Sequence, residues 1–123
     1  MKAVQKSAFS ILFAASTLAG YTSTWAHATL QSATPTKDAE VTMAPKDISL
    51  QFNENLEPAF SNAKVVDSTG KEVSTEKATL DASNPSVMKL AGLALASGTY
   101  KVQFVAVGHD GHRRKGEYSF TVK

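Results

Sequence analysis

Apolar and polar side chains alternate over three segments of this chain, and a period of two is typical of half-buried β-strands. The alternating apolar residues are Ile48, Leu50 and Phe52 in the first segment, Tyr100, Val102, Phe104 and Ala106 in the second, and Tyr118, Phe120 and Val122 in the third. Side chains two residues apart point to the same face of a strand, so each set is expected to face one core. No segment carries a sustained helical period, and we expect at most one helical turn, at residues 55–61.

Four weaker strands are expected at residues 29–33, 63–67, 72–75 and 87–90. Turn-forming pairs interrupt the chain at short intervals, namely Thr34-Pro35, Ala44-Pro45, Thr69-Gly70, Asn84-Pro85, Ser97-Gly98 and Asp110-Gly111. About seven short strands with this spacing predict an all-β fold, a Greek-key, immunoglobulin-like β-sandwich. With no linker, repeat or low-complexity segment in view, we expect one domain.

Residues 1–26 have the features of a cleaved secretory signal peptide. Lys2 and Lys6 make the start positive, an apolar stretch covers residues 8–20, and Ala26 is a small residue suited to cleavage. The apolar stretch is shorter than the roughly 20 residues that span a bilayer, although an uncleaved anchor is the alternative. We therefore expect a periplasmic mature chain of residues 27–123 that does not insert into the membrane.

Charge and cysteine content exclude several classes of function. The chain has 13 Lys and Arg against 11 Asp and Glu; the leader contains two of the basic residues and none of the acidic ones, so residues 27–123 have a formal net charge of zero. A neutral chain gives no reason to expect binding to nucleic acid. The absence of cysteine excludes thiolate zinc sites and blue-copper sites.

The three histidines of the chain suggest a metal site. Cleavage after Ala26 would make His27 the first residue, and its α-amine and imidazole could then chelate one ion. His112 and Asp110 lie two residues apart, so both would face one side of an extended strand. Three nitrogens and one carboxylate oxygen suit copper(II). The alternative is a plain Asp-Gly hairpin turn. For His109 we favour an exposed turn residue over an extra ligand or a neighbour of the site.

The mature chain resembles the CopC family of periplasmic copper-resistance proteins, including its YobA-like members, over essentially its full length. The matching segments are His27-Ala28-Thr29-Leu30, Ser32-Ala33-Thr34-Pro35, Phe52-Asn53-Glu54-Asn55-Leu56, Phe60-Ser61, Ser97 to Val102, Asp110-Gly111-His112 and Gly116 to Val122. The initial histidine and the Asp-x-His motif are the specific parts of this resemblance.

The resemblance implies a copper(II) site formed by His27, Asp110 and His112, with Glu54 close to it; the alternative for Glu54 is an exposed loop carboxylate. It also implies a monomeric copper carrier without enzymatic activity, which sequesters copper or passes it to a CopD-like inner-membrane protein. A second, copper(I) site is not expected, because Met43 and Met88 are far apart in the sequence and soft thioether ligands are needed in number.

Three other functions remain open at this stage. The same histidine pair resembles the copper brace of polysaccharide monooxygenases, although residues 27–123 contain no tryptophan for a sugar-binding surface. A metal-free interaction module is compatible with a β-sandwich. Zinc is an alternative metal ion for the same residues. The run Arg113-Arg114-Lys115 replaces a proline that often follows Asp-x-His in the family. It is either solvated, sets the potential near the copper, or contacts a partner.

Overall fold

The structure is a computed structural model in which residues 28–123 are described. It contains eight strands: β1 (Leu30–Thr34), β2 (Glu40–Val41), β3 (Ile48–Phe52), β4 (Asn62–Val66), β5 (Thr79–Leu80), β6 (Val87–Leu90), β7 (Gly98–Val107) and β8 (Arg113–Val122). They form two four-stranded sheets, in the orders β1-β3-β6-β5 and β2-β8-β7-β4. The predicted all-β sandwich is confirmed: six of the seven expected strands are present, and the two-residue strands β2 and β5 bring the total to eight.

The alternating apolar residues fill the space between the two sheets. All ten residues of the three sets are buried, from 0% to 9% exposed. Phe52 on one sheet meets Phe104 on the other edge to face, with ring centroids 5.4 Å apart and an interplanar angle of 73°. Met88 is also in the core at 1% exposure, as the sequence predicts. The core therefore follows directly from the period-two pattern.

One of the four weaker strand predictions is wrong. Residues 72–75 were expected to form a strand, yet Glu72 makes only an isolated bridge to Val66. The segment folds back against β4 through a tight turn, with the amide of Val73 donating to the carbonyl of Val65 at 2.8 Å. The amide of Val65 donates to the Ser74 hydroxyl at 3.1 Å, so a side chain takes the place of a backbone acceptor and the ladder stops.

The longest pairing in the molecule is the antiparallel hairpin of β7 and β8. Ten residue pairs run without a shift from Gly98 opposite Val122 to Val107 opposite Arg113. The turn of this hairpin, residues 108–112, lies at one end of the sandwich and carries both Asp110 and His112. Among residues 28–123 no helix is long and apolar enough to cross a membrane.

Two buried tyrosines differ in how their hydroxyl groups are satisfied. The Tyr100 hydroxyl donates to the carbonyl of Ala96 at 2.6 Å. The Tyr118 hydroxyl is buried and has no hydrogen-bond partner among residues 28–123. Burial accordingly raises the pKa of Tyr118 well above its usual value. An unsatisfied buried hydroxyl costs free energy, whereas a satisfied one stabilises.

We therefore expect opposite effects of removing the two hydroxyls. Tyr100→Phe should lower the free energy of unfolding by about 1 kcal/mol, because it removes a hydrogen bond and leaves the Ala96 carbonyl without its donor. Tyr118→Phe should leave the stability unchanged or raise it. Urea denaturation of both variants measures the difference, and an equal loss in the two would contradict this account of Tyr118.

Candidate metal centre

The turn between β7 and β8 is organised by the Asp110 side chain. The amide of Gly111 donates to the carbonyl of Gly108 at 3.0 Å, which closes a β-turn. Asp110 Oδ1 accepts a hydrogen bond from the amide of His112 at 3.0 Å, an Asx-turn of the kind that aspartate favours. Gly111 has a φ of 78°, a left-handed conformation that glycine adopts without strain. The backbone of the 108–112 turn is thus fixed by its own residues.

This turn brings the two predicted ligands of the hairpin together. His112 Nδ1 lies 3.1 Å from Asp110 Oδ2, and the side chains are 43% and 24% exposed. Two ligands at right angles around an ion, each at about 2.0–2.2 Å from it, are separated by about 3 Å. The Nδ1–Oδ2 spacing therefore fits two neighbouring ligands of a single metal ion.

Glu54 lies against the same turn. A methyl group placed on Gly108 would come within 1.7 Å of Glu54 Oε1 and within 3.5 Å of Asp110 Oδ1. The absence of a side chain at residue 108 is thus what admits the Glu54 carboxylate. Glu54 Oε1 is buried and has no hydrogen-bond partner in the part of the chain that the structure describes. A buried carboxylate oxygen is costly unless a donor or a cation reaches it.

The segment that carries Glu54 is hydrogen-bonded to the end of β7. Leu56 makes an isolated bridge to Gly108, and the amide of Glu57 donates to the carbonyl of Val107 at 2.7 Å. The Ser61 hydroxyl accepts from the amide of Val107 at 3.0 Å. The amide of Ser61 in turn donates to the carbonyl of Glu57, which forms the single helical turn expected at residues 55–61.

The first described residues enter the sandwich beside Glu54. Ala28 is fully buried in the core. The amide of Thr29 donates to Asn53 Oδ1 at 2.8 Å, and the amide of Asn53 donates to the carbonyl of Thr29 at 3.0 Å. Since Asn53 precedes Glu54, these two hydrogen bonds hold the chain next to the 108–112 turn. His27, the third predicted ligand, lies outside the described residues.

His109 makes a contact that the sequence did not predict. Its Nδ1 lies 2.5 Å from Glu57 Oε1, with the two side chains 68% and 38% exposed. The expectation of an exposed turn residue describes its accessibility correctly and misses this hydrogen bond. No spacing rule links residues 57 and 109, because they meet only when the Glu57–Ser61 turn packs against the end of β7.

The described residues do not complete a metal site by themselves. Within residues 28–123, no group of three or more histidine, cysteine, aspartate and glutamate side chains is arranged to hold an ion. Asp110 and His112 thus form one half of a candidate site, with the buried oxygen of Glu54 beside the same turn.

Comparison with known proteins identifies the family of this chain. A CopC domain model matches residues 30–123. The chain belongs to the CopC family. Protein YobA of Escherichia coli K12 is 39% identical over 103 residues, which cover 82% of each chain. Proteins of this family bind copper and are not enzymes. The predicted family is confirmed.

Solved structures of relatives have the same fold. CopC from Methylosinus trichosporium OB3b superposes with a TM-score of 0.74 at 39% identity, covering 79% of this chain and 94% of that one. PcoC of Escherichia coli, described as a methionine-rich copper resistance protein, gives a TM-score of 0.72 at 38% identity and covers 80% of this chain and all of its own. This CopC-family chain has three methionines in total.

The contact of Glu54 with Gly108 can be tested by a double-mutant cycle. Gly108→Ala should destabilise the protein by about 1–3 kcal/mol, or shift the Glu54 carboxylate out of its place, because the added methyl overlaps Oε1. On a Glu54→Ala background the same substitution should be nearly neutral. Thermal unfolding of the four proteins gives the coupling energy, and strictly additive effects would show that the two residues do not meet.

Proposed function

We propose that this protein binds a single copper(II) ion in the periplasm and either sequesters it or passes it to a CopD-like protein of the inner membrane. The ligands are Asp110, His112 and the amino-terminal His27, which becomes the first residue when the leader of residues 1–26 is removed. The observation that carries the proposal is the 3.1 Å spacing of Asp110 Oδ2 and His112 Nδ1, which suits two ligands of one ion.

Two observations support His27 as the missing ligand. It precedes Ala28, which is buried beside the segment that carries Glu54, and consecutive Cα atoms are about 3.8 Å apart, so His27 is bonded to a residue already near the site. Glu54 Oε1 is a buried acceptor without a donor among residues 28–123. The cationic or metal-bound α-amine of His27 is a suitable donor to it.

The proposed ligand set explains the preference for the oxidised ion. An amine, two imidazoles and a carboxylate match the tetragonal nitrogen and oxygen ligation of copper(II). The thioethers that would favour copper(I) are not available as a pair, because Met88 is 1% exposed in the core and Met43 is 82% exposed in the loop between β2 and β3. This supports one oxidised-copper site and no second site for the reduced ion.

The decisive experiment compares two amino termini. One sample begins at His27, verified by sequencing, and the other carries one additional alanine before it. Copper(II) should bind the first in a tetragonal, nitrogen-rich site visible by electron paramagnetic resonance. The second should bind at least about 100-fold more weakly, because the loss of a neighbouring group that merely orients a ligand already costs about 10–100-fold. Identical spectra and affinities in the two samples would exclude amino-terminal chelation.

Three alanine variants of the 108–112 turn locate the other ligands. Asp110→Ala and His112→Ala should each weaken copper(II) binding by more than about tenfold, since each removes a direct ligand. His109→Ala is the matched control, because it removes an imidazole from the same turn that bonds to Glu57 instead. Competition titration with a copper chelator measures all three. The proposal fails if His109→Ala is as damaging as His112→Ala.

A further inference from the structure

An aromatic side chain is exposed close to the proposed copper site. Phe60 is 68% exposed, and in residues 28–123 the only other large apolar side chain exposed to this degree is Met43. Phe60 lies in the Glu57–Ser61 turn and lines a groove with Glu57, Ala59, Val107 and Arg113. An exposed aromatic residue in a groove is typical of protein interfaces, where such residues are enriched.

Next to Phe60 lies a group of cations without partners. Arg113, Arg114 and Lys115 are all exposed at the start of β8. The β7 residues opposite them are Val107, Ala106 and Val105, which offer no charge. Three other lysines are paired, at 3.0 Å for Lys89 with Asp81, 3.6 Å for Lys101 with Glu117 and 2.9 Å for Lys123 with Glu40. In the described part of the chain, the three cations at residues 113–115 have no such ion pair.

These cations have no use in binding a metal ion. They directly follow His112, so they repel a divalent cation held by Asp110 and His112 and weaken its binding. The mature chain is neutral overall, so three adjacent unpaired cations are a local concentration of positive charge rather than a general feature of the surface. Their position is better explained by a ligand of opposite charge that approaches this end of the sandwich.

We propose that Phe60, Arg113 and Lys115 form a docking surface for an acidic segment of a protein partner that exchanges copper with the adjacent site. This inference rests on the delivery role proposed above. Arg113 lines the groove with Phe60, and Lys115 lies two residues further along β8, on the same face as Arg113. A carboxylate of the partner pairs with the Arg113 guanidinium in a bidentate manner, and an apolar partner side chain covers Phe60.

An anionic membrane and a second copy of this chain fit the surface less well. Recognition of anionic lipid typically uses clusters of four to eight basic residues, whereas this run has three and lies beside the carboxylates of Glu57 and Asp110. A symmetric dimer through this face would bring the same cations of two copies together. A protein segment can place its carboxylates on the cations alone, which favours a heterologous protein partner.

The test uses photo-crosslinking in the native host with the full-length chain. The substitution Phe60→p-benzoylphenylalanine places the reactive group in the groove, and Met43→p-benzoylphenylalanine is the matched control on an equally exposed apolar position. We expect residue 60 to yield a protein adduct whose crosslinked peptide, identified by mass spectrometry, is rich in aspartate and glutamate. A yield no greater than at residue 43, an adduct with lipid, or an adduct with a second copy would each overturn the proposal.

Charge reversal provides a second test of the docking surface. Arg113→Glu with Lys115→Glu should reduce the residue-60 adduct by about tenfold or more, since like charges across an interface oppose association. Lys46→Glu with Lys77→Glu gives the same change in net charge at exposed positions elsewhere and should leave the yield unchanged. Equal yields from the two double variants would contradict a charge-dependent docking surface.

Copper titration of the same variants separates this inference from the proposed function. The Arg113→Glu, Lys115→Glu variant should bind copper(II) at least as tightly as the unmodified protein, because cations near the ion are replaced by anions. Tight copper binding together with loss of the adduct supports the docking surface. Absence of copper binding in the unmodified protein would overturn the proposed function, and with it the exchange of copper, whatever the crosslinking result.

Discussion

The unbroken pairing of β7 with β8 is the constraint on which the rest of the molecule depends. Its ten residue pairs supply seven inward-facing apolar side chains to one sheet, and the register leaves residues 108–112 as a turn at one end. A slip of one residue would turn every one of these side chains to the opposite face. The same register therefore determines both the core and the position of Asp110 and His112.

How far the sequence predicts the fold depends on whether the signal is local. The three alternating segments are local signals, and their residues are buried as expected. The failure at residues 72–75 has a specific cause, because the segment has the composition of a strand but meets β4 through one bridge and a Ser74 side chain. The strand β2 was missed because its two residues pair in parallel with β8, far along the chain, and so leave no local pattern.

The candidate site also combines contacts that are local in the sequence with contacts that are not. Asp110 and His112 were expected to share one side of an extended strand, yet both lie in the turn between β7 and β8, where an Asx-turn rather than strand alternation brings their side chains within 3.1 Å. The contacts of Glu54 with Gly108 and of Glu57 with His109 link segments more than 50 residues apart, and only the packing of the sandwich creates them. The resemblance to the CopC family suggested a place for Glu54 near the site; nothing in the sequence suggested the partner of His109.

Half of the proposed site is held in place by hydrogen bonds that need no metal ion. The Asx-turn that positions Asp110 and His112 uses only backbone groups and the Asp110 carboxylate, so it does not require an ion. Asp110 Oδ1 is engaged by the His112 amide, which leaves Oδ2 facing Nδ1 as the oxygen available for coordination. Such preorganisation lowers the entropic cost of binding. Under the proposed function, copper affinity then depends also on the other half, the amino-terminal histidine, and so on how the chain is processed as well as on how the sandwich folds.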